Sequence, residues 1–437
     1  MSRSQWGSRL GFILASAGAT VGLGSIWKFP YVTAMNGGGA FIVIFILIAF
    51  TLGLALLMAE IAIGRAAGCG AVSAFRKLGG RGWPLVGYTG VLCGFLVLSF
   101  YCVVGGWTFG YLLRAFDGRV MSDSPEALAA LFGQYVSSPV EPIVTHALFV
   151  GLTALVVMAG IQKGIERAGK LLMPALFVLM LLLIVRALTL PGAAEGVSQF
   201  LAPDFSKVTP SMLVDALGLA FFSLSVGAGC MLAYGSYLGP GVRLANASLW
   251  IVGLTTLTSI LAGLMIFPAI AAFGLDAAAG PGLTYMTMPV VFNHLPFGQW
   301  FAVAFFALLL FAALTSAVSL LEIIVVLPVD DWGVDRKRAS LAGAALVFLA
   351  GIPASLSFGL LGDVTLFGRN VFELMDYTAS NILLPVGGIG TALFAGWKVW
   401  PLMRGQLALP AGVAVAMQAM CRVVAPLLIG LILVWNL

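Results

Sequence analysis

Eleven apolar stretches, each long enough or nearly long enough to cross about 30 Å of hydrocarbon, dominate this sequence. They fall near 9–31, 39–64, 86–113, 143–160, 168–190, 211–233, 246–274, 299–327, 340–360, 370–396 and 411–435. Inside a bilayer every backbone N–H and C=O must be satisfied by the chain itself, so apolar stretches of this length are read as helices. The expectation is an all-α polytopic membrane protein with eleven transmembrane helices. Composition supports it: 61 % of residues are apolar and 9 % charged, against about 45–50 % and about 25 % in soluble domains. A water-soluble enzyme and a disordered chain are both excluded. Two His and five scattered Cys offer neither a metal cluster nor a disulfide framework. No nucleophile stands beside a His or paired-Asp partner, so no enzyme is expected. No ring of charges marks a channel.

Positive charge gives the spans a direction. With the N-terminus inside, 15 of the 22 Lys and Arg fall on cytoplasmic connections and five on outer ones, leaving Lys28 and Arg422 in or near spans. That bias predicts a cytoplasmic N-terminus and an outer C-terminus. The net charge of +5 reports this topology and is no signal for nucleic acid. No cleavable leader is expected. Segment 114–142 reads as a polar outer loop with a short helix. Segment 275–298, with Pro281, Pro289 and Pro296, reads as a second outer loop that dips inward. Nothing divides the chain, so 1–437 is taken as a single domain.

Two spans carry the means to break. Span 1 contains Gly18, Gly22 and Gly24 within Ala17–Ser25, and span 6 runs Phe222-Ser223-Leu224-Ser225-Val226-Gly227-Ala228-Gly229. Each Gly weakens a helix by up to about 1 kcal/mol. Small residues also pack helices together, so span 1 alone leaves both readings open. Two such spans five steps apart are the first members of two five-helix halves, about 9–190 and 211–396, with a peripheral helix at about 411–435. Carriers built from inverted repeats interrupt matching helices in this way. Unwound carbonyls coordinate cations, and half-helix N-termini attract a carboxylate. Span 8 adds Thr315 and Ser316, which alone would do no more than bond to the preceding turn.

These residues also carry a likeness. The chain resembles bacterial members of the neurotransmitter:sodium symporter family, the sodium-coupled amino acid carriers. The likeness runs through Trp6-Gly-Ser-Arg9, Gly22-Leu-Gly-Ser-Ile-Trp-Lys-Phe-Pro30-Tyr, Asn36-Gly-Gly-Gly-Ala-Phe41 and Met58-Ala-Glu60. It continues in Ala220-Phe-Phe-Ser-Leu-Ser225, Leu314-Thr-Ser316 and Met375-Asp376 through Pro385, and covers about residues 3–435. It implies a bacterial cytoplasmic-membrane protein, a monomer or weak homodimer surrounded by lipid.

The resemblance further implies one sodium site from the carbonyls of Gly18, Val21 and Ala312 with the hydroxyls of Thr315 and Ser316. A second would use Thr20, Ser25, Ser223 and Thr255, where hydroxyls replace two amides of the family pattern. Coupling by one sodium or two therefore stays open. So does chloride, because Ser259 fits the family's chloride-coupled members while Phe45 and Leu219 stand where Tyr and Gln are expected. Glu60 is expected to brace the unwound first helix.

For the substrate, the N–H groups of Leu23 and Gly24 and the hydroxyl of Tyr101 would hold a carboxylate. An ammonium would meet the carbonyls of Thr20, Phe222 and Ser223 and the Ser225 hydroxyl. Val97, Tyr101, Phe222, Ala228, Ala317 and Leu320 would receive the side chain. No charge projects from this set, which disfavours charged amino acids. The expected substrate is a neutral L-amino acid with a large apolar or aromatic side chain. A carrier of Ala or Gly, and a non-transporting sensor of the same fold, remain as alternatives. By the same likeness, Lys28 and Asp376 form an outer gate with Phe222 as lid. Arg3 and Asp330 form an inner gate, with Trp6 as apolar plug and Tyr237 steadying the pair.

Overall fold

The computed structural model describes residues 4–275 and 283–436. Among these residues there is no β-strand, only the isolated bridges Gly38–Pro203 and Leu366–Arg369. Nine of the described helices are long and apolar enough to cross a membrane unbroken: Gly39–Ala67, Pro84–Phe116, Glu141–Met158, Ile161–Leu188, Leu244–Ala272, Gly298–Trp332, Arg336–Leu356, Val371–Lys398 and Ala411–Trp435. They are spans 2 to 5 and 7 to 11. Span 1 is a pair, Arg9–Thr20 and Gly24–Met35, bent by 56° at its break. Span 6 consists of Pro210–Ser223 and Cys230–Gly235 with six non-helical residues between them.

Polar residues set the ends of these helices. Ser8 Oγ accepts from Gly11 N (3.0 Å) at the start of span 1, and Thr209 does the same for Met212 N (3.2 Å) before Pro210. Asn370 and Glu373 make a reciprocal capping box on span 10. Span 5 begins at Ile161 and not near 168, because Gly160, at φ +84°, allows spans 4 and 5 to be joined almost directly.

Spans 1, 3, 6 and 8 meet at the centre. Span 11 lies at the edge, exposing Val415, Leu427 and Val434. Helices approach closely where a side chain is missing. A Cβ on Gly235 would lie 2.9 Å from Ile61 Cα, which seats the inner half of span 6 on span 2. Segment 275–298 does enter the bundle: Tyr285 is fully buried and its hydroxyl lies 2.8 Å from Thr108 Oγ1 of span 3. The middle of that segment, 276–282, lies outside the described residues.

Candidate functional site

The two breaks face each other. In span 1 the helical ladder stops with Val21 N donating to Ala17 O (2.6 Å), and Val21 itself leaves helical geometry at φ −86°, ψ 77°. The carbonyls of Gly18 and Ala19 are taken instead by Ser316 Oγ of span 8, at 3.2 and 3.3 Å. Leu23 N donates to Tyr101 Oη (3.2 Å). In span 6 the chain turns through Ser225, Gly227 and Gly229, all at positive φ (51°, 93° and 80°). Ser225 Oγ reaches back to Ala19 O (3.4 Å), so the breaks touch. Gly227 N donates to Glu60 Oε1 (2.7 Å). Glu60 therefore braces the sixth span's break; the expectation that it braces the first is corrected. A hydrogen bond of this kind offsets part of the cost of burying a carboxyl group.

Between the breaks lies a chamber of about 50 Å³. Its polar lining is Thr20, Ser223, Ser225 and Ser316, and its apolar walls are Val97, Tyr101, Phe222, Ala228, Leu320 and Leu384, with Ala19, Gly22 and Gly24 on the span 1 side. No ionised side chain lines it. The structure thus brings together Thr20, Gly24, Val97, Tyr101, Phe222, Ser223, Ser225, Ala228 and Leu320, with Leu23 joined through Tyr101. Ala317 is a correction: it is fully buried and does not line the chamber. Ser316 and Leu320, four residues apart, share one face of span 8, and Ala317 lies about 100° round from Ser316. Leu384 escaped the sequence reading. It comes from span 10, where no local motif marks it.

Of the first set of proposed sodium ligands, Gly18, Ala312, Thr315 and Ser316 are contiguous. A Cβ on Gly18 would sit 3.0 Å from Thr315 Cβ, so span 1 meets span 8 at this point because residue 18 has no side chain. Thr315 Oγ1 donates to Phe311 O (3.1 Å) and Ala312 O (3.0 Å), and Val21, at the break of span 1, is buried. The second set also converges. Thr20 Oγ1 and Thr255 Oγ1 lie 2.5 Å apart, and Ser25 Oγ donates to Thr20 O (3.4 Å). The hydroxyl of Ser223 is buried without a partner, an arrangement that a ligand in the chamber would relieve. Both sets are neutral oxygens, suited to a hard monovalent cation. Among the described residues no three His, Cys, Asp or Glu converge on one point. At the place considered for chloride, Ser259 Oγ donates to Thr255 O (3.2 Å). Phe45 and Leu219 are buried in an apolar cluster there.

Above the chamber is a vestibule of about 160 Å³, lined by Trp27, Lys28, Tyr31, Phe100, Phe372 and Asp376 among others. Phe222, Tyr101 and Gly24 line both spaces. Lys28 and Asp376 face this vestibule, but no ion pair joins them: Lys28 Nζ lies 5.0 Å from the centre of the Phe222 ring, and Asp376 Oδ1 accepts from Ser380 Oγ (2.8 Å). On the other side Trp6 is held among aromatic neighbours. Its Nε1 donates to Tyr234 O (3.0 Å) and its ring sits edge-on against Phe12 and Tyr234. Asp330 accepts from Gly70 N (2.6 Å). The Tyr237 hydroxyl donates to Glu322 Oε1 (2.7 Å), a buried carboxylate paired with Arg336. Arg3 lies outside the described residues.

Known proteins resemble this chain in sequence and in fold. A sequence model described as the sodium:neurotransmitter symporter family matches residues 3–124 and 137–436. An uncharacterized sodium-dependent transporter of Bacillus subtilis (strain 168) is 44 % identical over 396 residues, covering 90 % of this chain and 88 % of that one. One from Haemophilus influenzae is 37 % identical over 408 residues, with 90 % and 89 % covered. Among solved structures, that of MhsT in complex with L-phenylalanine superposes with a TM-score of 0.92 at 41 % identity, covering the whole of both chains (100 % of each).

Proposed function

The chain belongs to the sodium:neurotransmitter symporter family, whose members are sodium-coupled transporters and not enzymes, and from that premise we propose that it drives a neutral L-amino acid with a large apolar or aromatic side chain into the cell on a sodium gradient. The observation that carries this reading is a chamber between two helix breaks, walled by apolar side chains and free of ionised ones. A zwitterion brings its own two charges and finds main-chain dipoles for both. The carboxylate displaces the Tyr101 hydroxyl from Leu23 N and takes both as donors. The ammonium faces the carbonyls of Thr20, Phe222 and Ser223 with the Ser225 hydroxyl. A charged substrate side chain would enter an apolar pocket without a partner, at a cost of several kcal/mol. Ala228 keeps the side-chain end free of bulk, and a large apolar group enters as the chamber, about 50 Å³ in this structure, widens around it. The phenylalanine held by MhsT, with which this chain is 41 % identical, agrees with that size.

Sodium enters the same frame. Gly18, Val21 and Ala312 supply carbonyls and Thr315 and Ser316 hydroxyls for one ion. Thr20, Ser25, Ser223 and Thr255 supply a weaker, all-neutral second set. The proposed cycle is alternating access. Sodium orders spans 1 and 8, substrate binds beneath Phe222, and Lys28 meets Asp376 outside. Release of Trp6 and its neighbours then opens the cytoplasmic side. Sodium and substrate must strengthen each other's binding in the coupled state. The positive-inside bias supports a cytoplasmic N-terminus and an outer C-terminus in a bacterial cytoplasmic membrane. The matching positions of the two breaks support a single domain of inverted halves, about 9–190 and 211–396.

The test is uptake of Ala, Gly, Leu, Phe, Trp and Lys into proteoliposomes under an imposed sodium, proton or chloride gradient. Sodium-driven uptake of Leu, Phe or Trp, with Lys excluded, is expected. Uptake driven by protons and indifferent to sodium would overturn the ion assignment. A strong preference for Gly would overturn the pocket argument. Sodium-dependent binding without uptake would make the chain a sensor.

A further inference from the structure

We infer that Leu384 of span 10 sets the largest side chain the chamber accepts. The inference rests on the reading of the chamber as an amino acid site and adds the residue that sizes it.

Span 10 reaches the chamber because of a change in its helical register. Phe372 and Asp376, one turn apart, line the vestibule, and Ser380 Oγ, a turn further on, donates to Asp376 Oδ1. Leu384 is eight residues beyond Asp376. In an unbroken α-helix, eight steps of about 100° would leave the two side chains about 80° apart. The π-turn at Thr378–Leu383 lies between them. A π-turn inserts one residue without its share of rotation, so about seven steps count and the two faces come within about 20°. The stripe that faces the vestibule at Asp376 therefore continues down to face the chamber at Leu384.

The neighbouring backbone holds Leu384 there. A Cβ on Gly227 would overlap Leu384 O and lie 2.8 Å from Gly388 N. Span 10 thus lies directly on the span 6 break, which Glu60 pins through Gly227 N. Leu384 is 8 % exposed, all but buried, yet it still lines the cavity. The span 6 side offers only the small Ala228 beside the Phe222 lid, so the bulk of Leu384 takes up space that a longer substrate side chain would need. Val97 and Leu320, two of the remaining walls, belong to spans 3 and 8, which pack against each other along the centre of the bundle.

The experiment uses the full chain in detergent with saturating sodium, and competition binding of Ala, Leu, Phe and Trp to wild type, Leu384→Ala and Leu384→Phe. One methylene in an apolar pocket changes discrimination by about 10–200-fold. Leu384→Ala is expected to raise the affinity for Trp relative to Leu by about tenfold or more. Leu384→Phe is expected to lower Phe and Trp relative to Ala by a similar factor. The sodium midpoint without amino acid should stay at the wild-type value in both, which a general loosening of the fold would not allow. If either variant fails to assemble, Leu384→Met and Leu384→Val, which disturb volume less, report the same ratios. Wild-type sodium binding with the Leu, Phe and Trp ratios all within about twofold of wild type would overturn the inference. If the wild-type chain itself binds no amino acid in sodium, the reading of the chamber fails instead, and the two failures are told apart.

Discussion

Replacing Thr315 by Ala isolates a single proposed sodium ligand. Its hydroxyl donates only within its own helix, to Phe311 O (3.1 Å) and Ala312 O (3.0 Å). Those carbonyls belong to the continuous helix Gly298–Trp332, so removing the hydroxyl strands no buried partner and costs the fold little. A sodium ion loses one oxygen. A polar contact to a charged group contributes about 1.5–3 kcal/mol, and about 1.4 kcal/mol is tenfold, so sodium affinity should fall by about ten- to a hundredfold. The assay is thermal stability against sodium concentration without amino acid. A bound ion stabilises by RT ln(1 + [Na⁺]/Kd), so the curve should keep its shape and move to higher sodium by that factor. Thr153→Ala is the control. Its hydroxyl makes the same intrahelical bond, to Phe149 O at 2.9 Å in span 4, and should leave the sodium midpoint in place. A Thr315→Ala midpoint within about twofold of wild type would refute the assignment of this hydroxyl to the ion.

Two further substitutions probe the chamber from other sides. Gly22→Ala places a methyl 2.6 Å from Ser316 Oγ and 2.9 Å from Tyr101 Oη. It is expected to abolish amino acid binding in an equilibrium assay while the protein still purifies as a folded particle, and wild-type affinity would refute the close approach. Tyr101→Phe deletes the proposed carboxylate donor while keeping the ring that lines the chamber. Amino acid affinity should fall about tenfold or more, with the amino acid-free sodium midpoint unmoved, as isothermal titration would show.

How far the sequence revealed this molecule follows from which forces act locally. The spans were legible because hydrocarbon leaves the backbone no alternative. The breaks were legible because Gly18, Gly22, Gly24, Gly227 and Gly229 are concentrated in two spans. That Ser225 also turns through positive φ (51°) was not legible, since nothing in a serine announces it. Ala317 was misassigned because choosing a face of span 8 needs its rotation about its axis, and small residues at 312, 313, 316 and 317 leave that rotation undetermined. Glu60 was known to need a partner, but a carboxylate in span 2 says nothing about which of two broken helices will donate to it. Leu384 was missed for a deeper reason. Its facing depends on a π-turn, a register shift that leaves no composition signal in Thr378–Leu383.

Lys28 and Asp376, the proposed outer gate, are poised between two weak interactions. Lys28 Nζ rests over the Phe222 ring at 5.0 Å from its centre, while Asp376 holds the Ser380 hydroxyl. In the proposed cycle, closing the gate moves Lys28 from ring to carboxylate. A cation over an exposed ring gains about 0.5–1 kcal/mol, and an exposed ion pair about 0–1 kcal/mol. Neither dominates, so the free gate has little preference of its own. What lies beneath Phe222 then decides, because that ring packs on Gly24, where a Cβ would meet Cε1 at 2.7 Å, and forms a wall of both chamber and vestibule. Phe222→Leu keeps an apolar lid and removes the cation's resting place. It should raise the closed population of the substrate-free protein about two- to fivefold, the Boltzmann factor of about 0.5–1 kcal/mol. Spin labels at Arg119→Cys and Glu373→Cys, in the loop after span 3 and the first turn of span 10, would report it as a distance distribution. A distribution identical with and without the ring would mean that the aromatic face does not hold the lysine back, and that the gate's balance lies elsewhere.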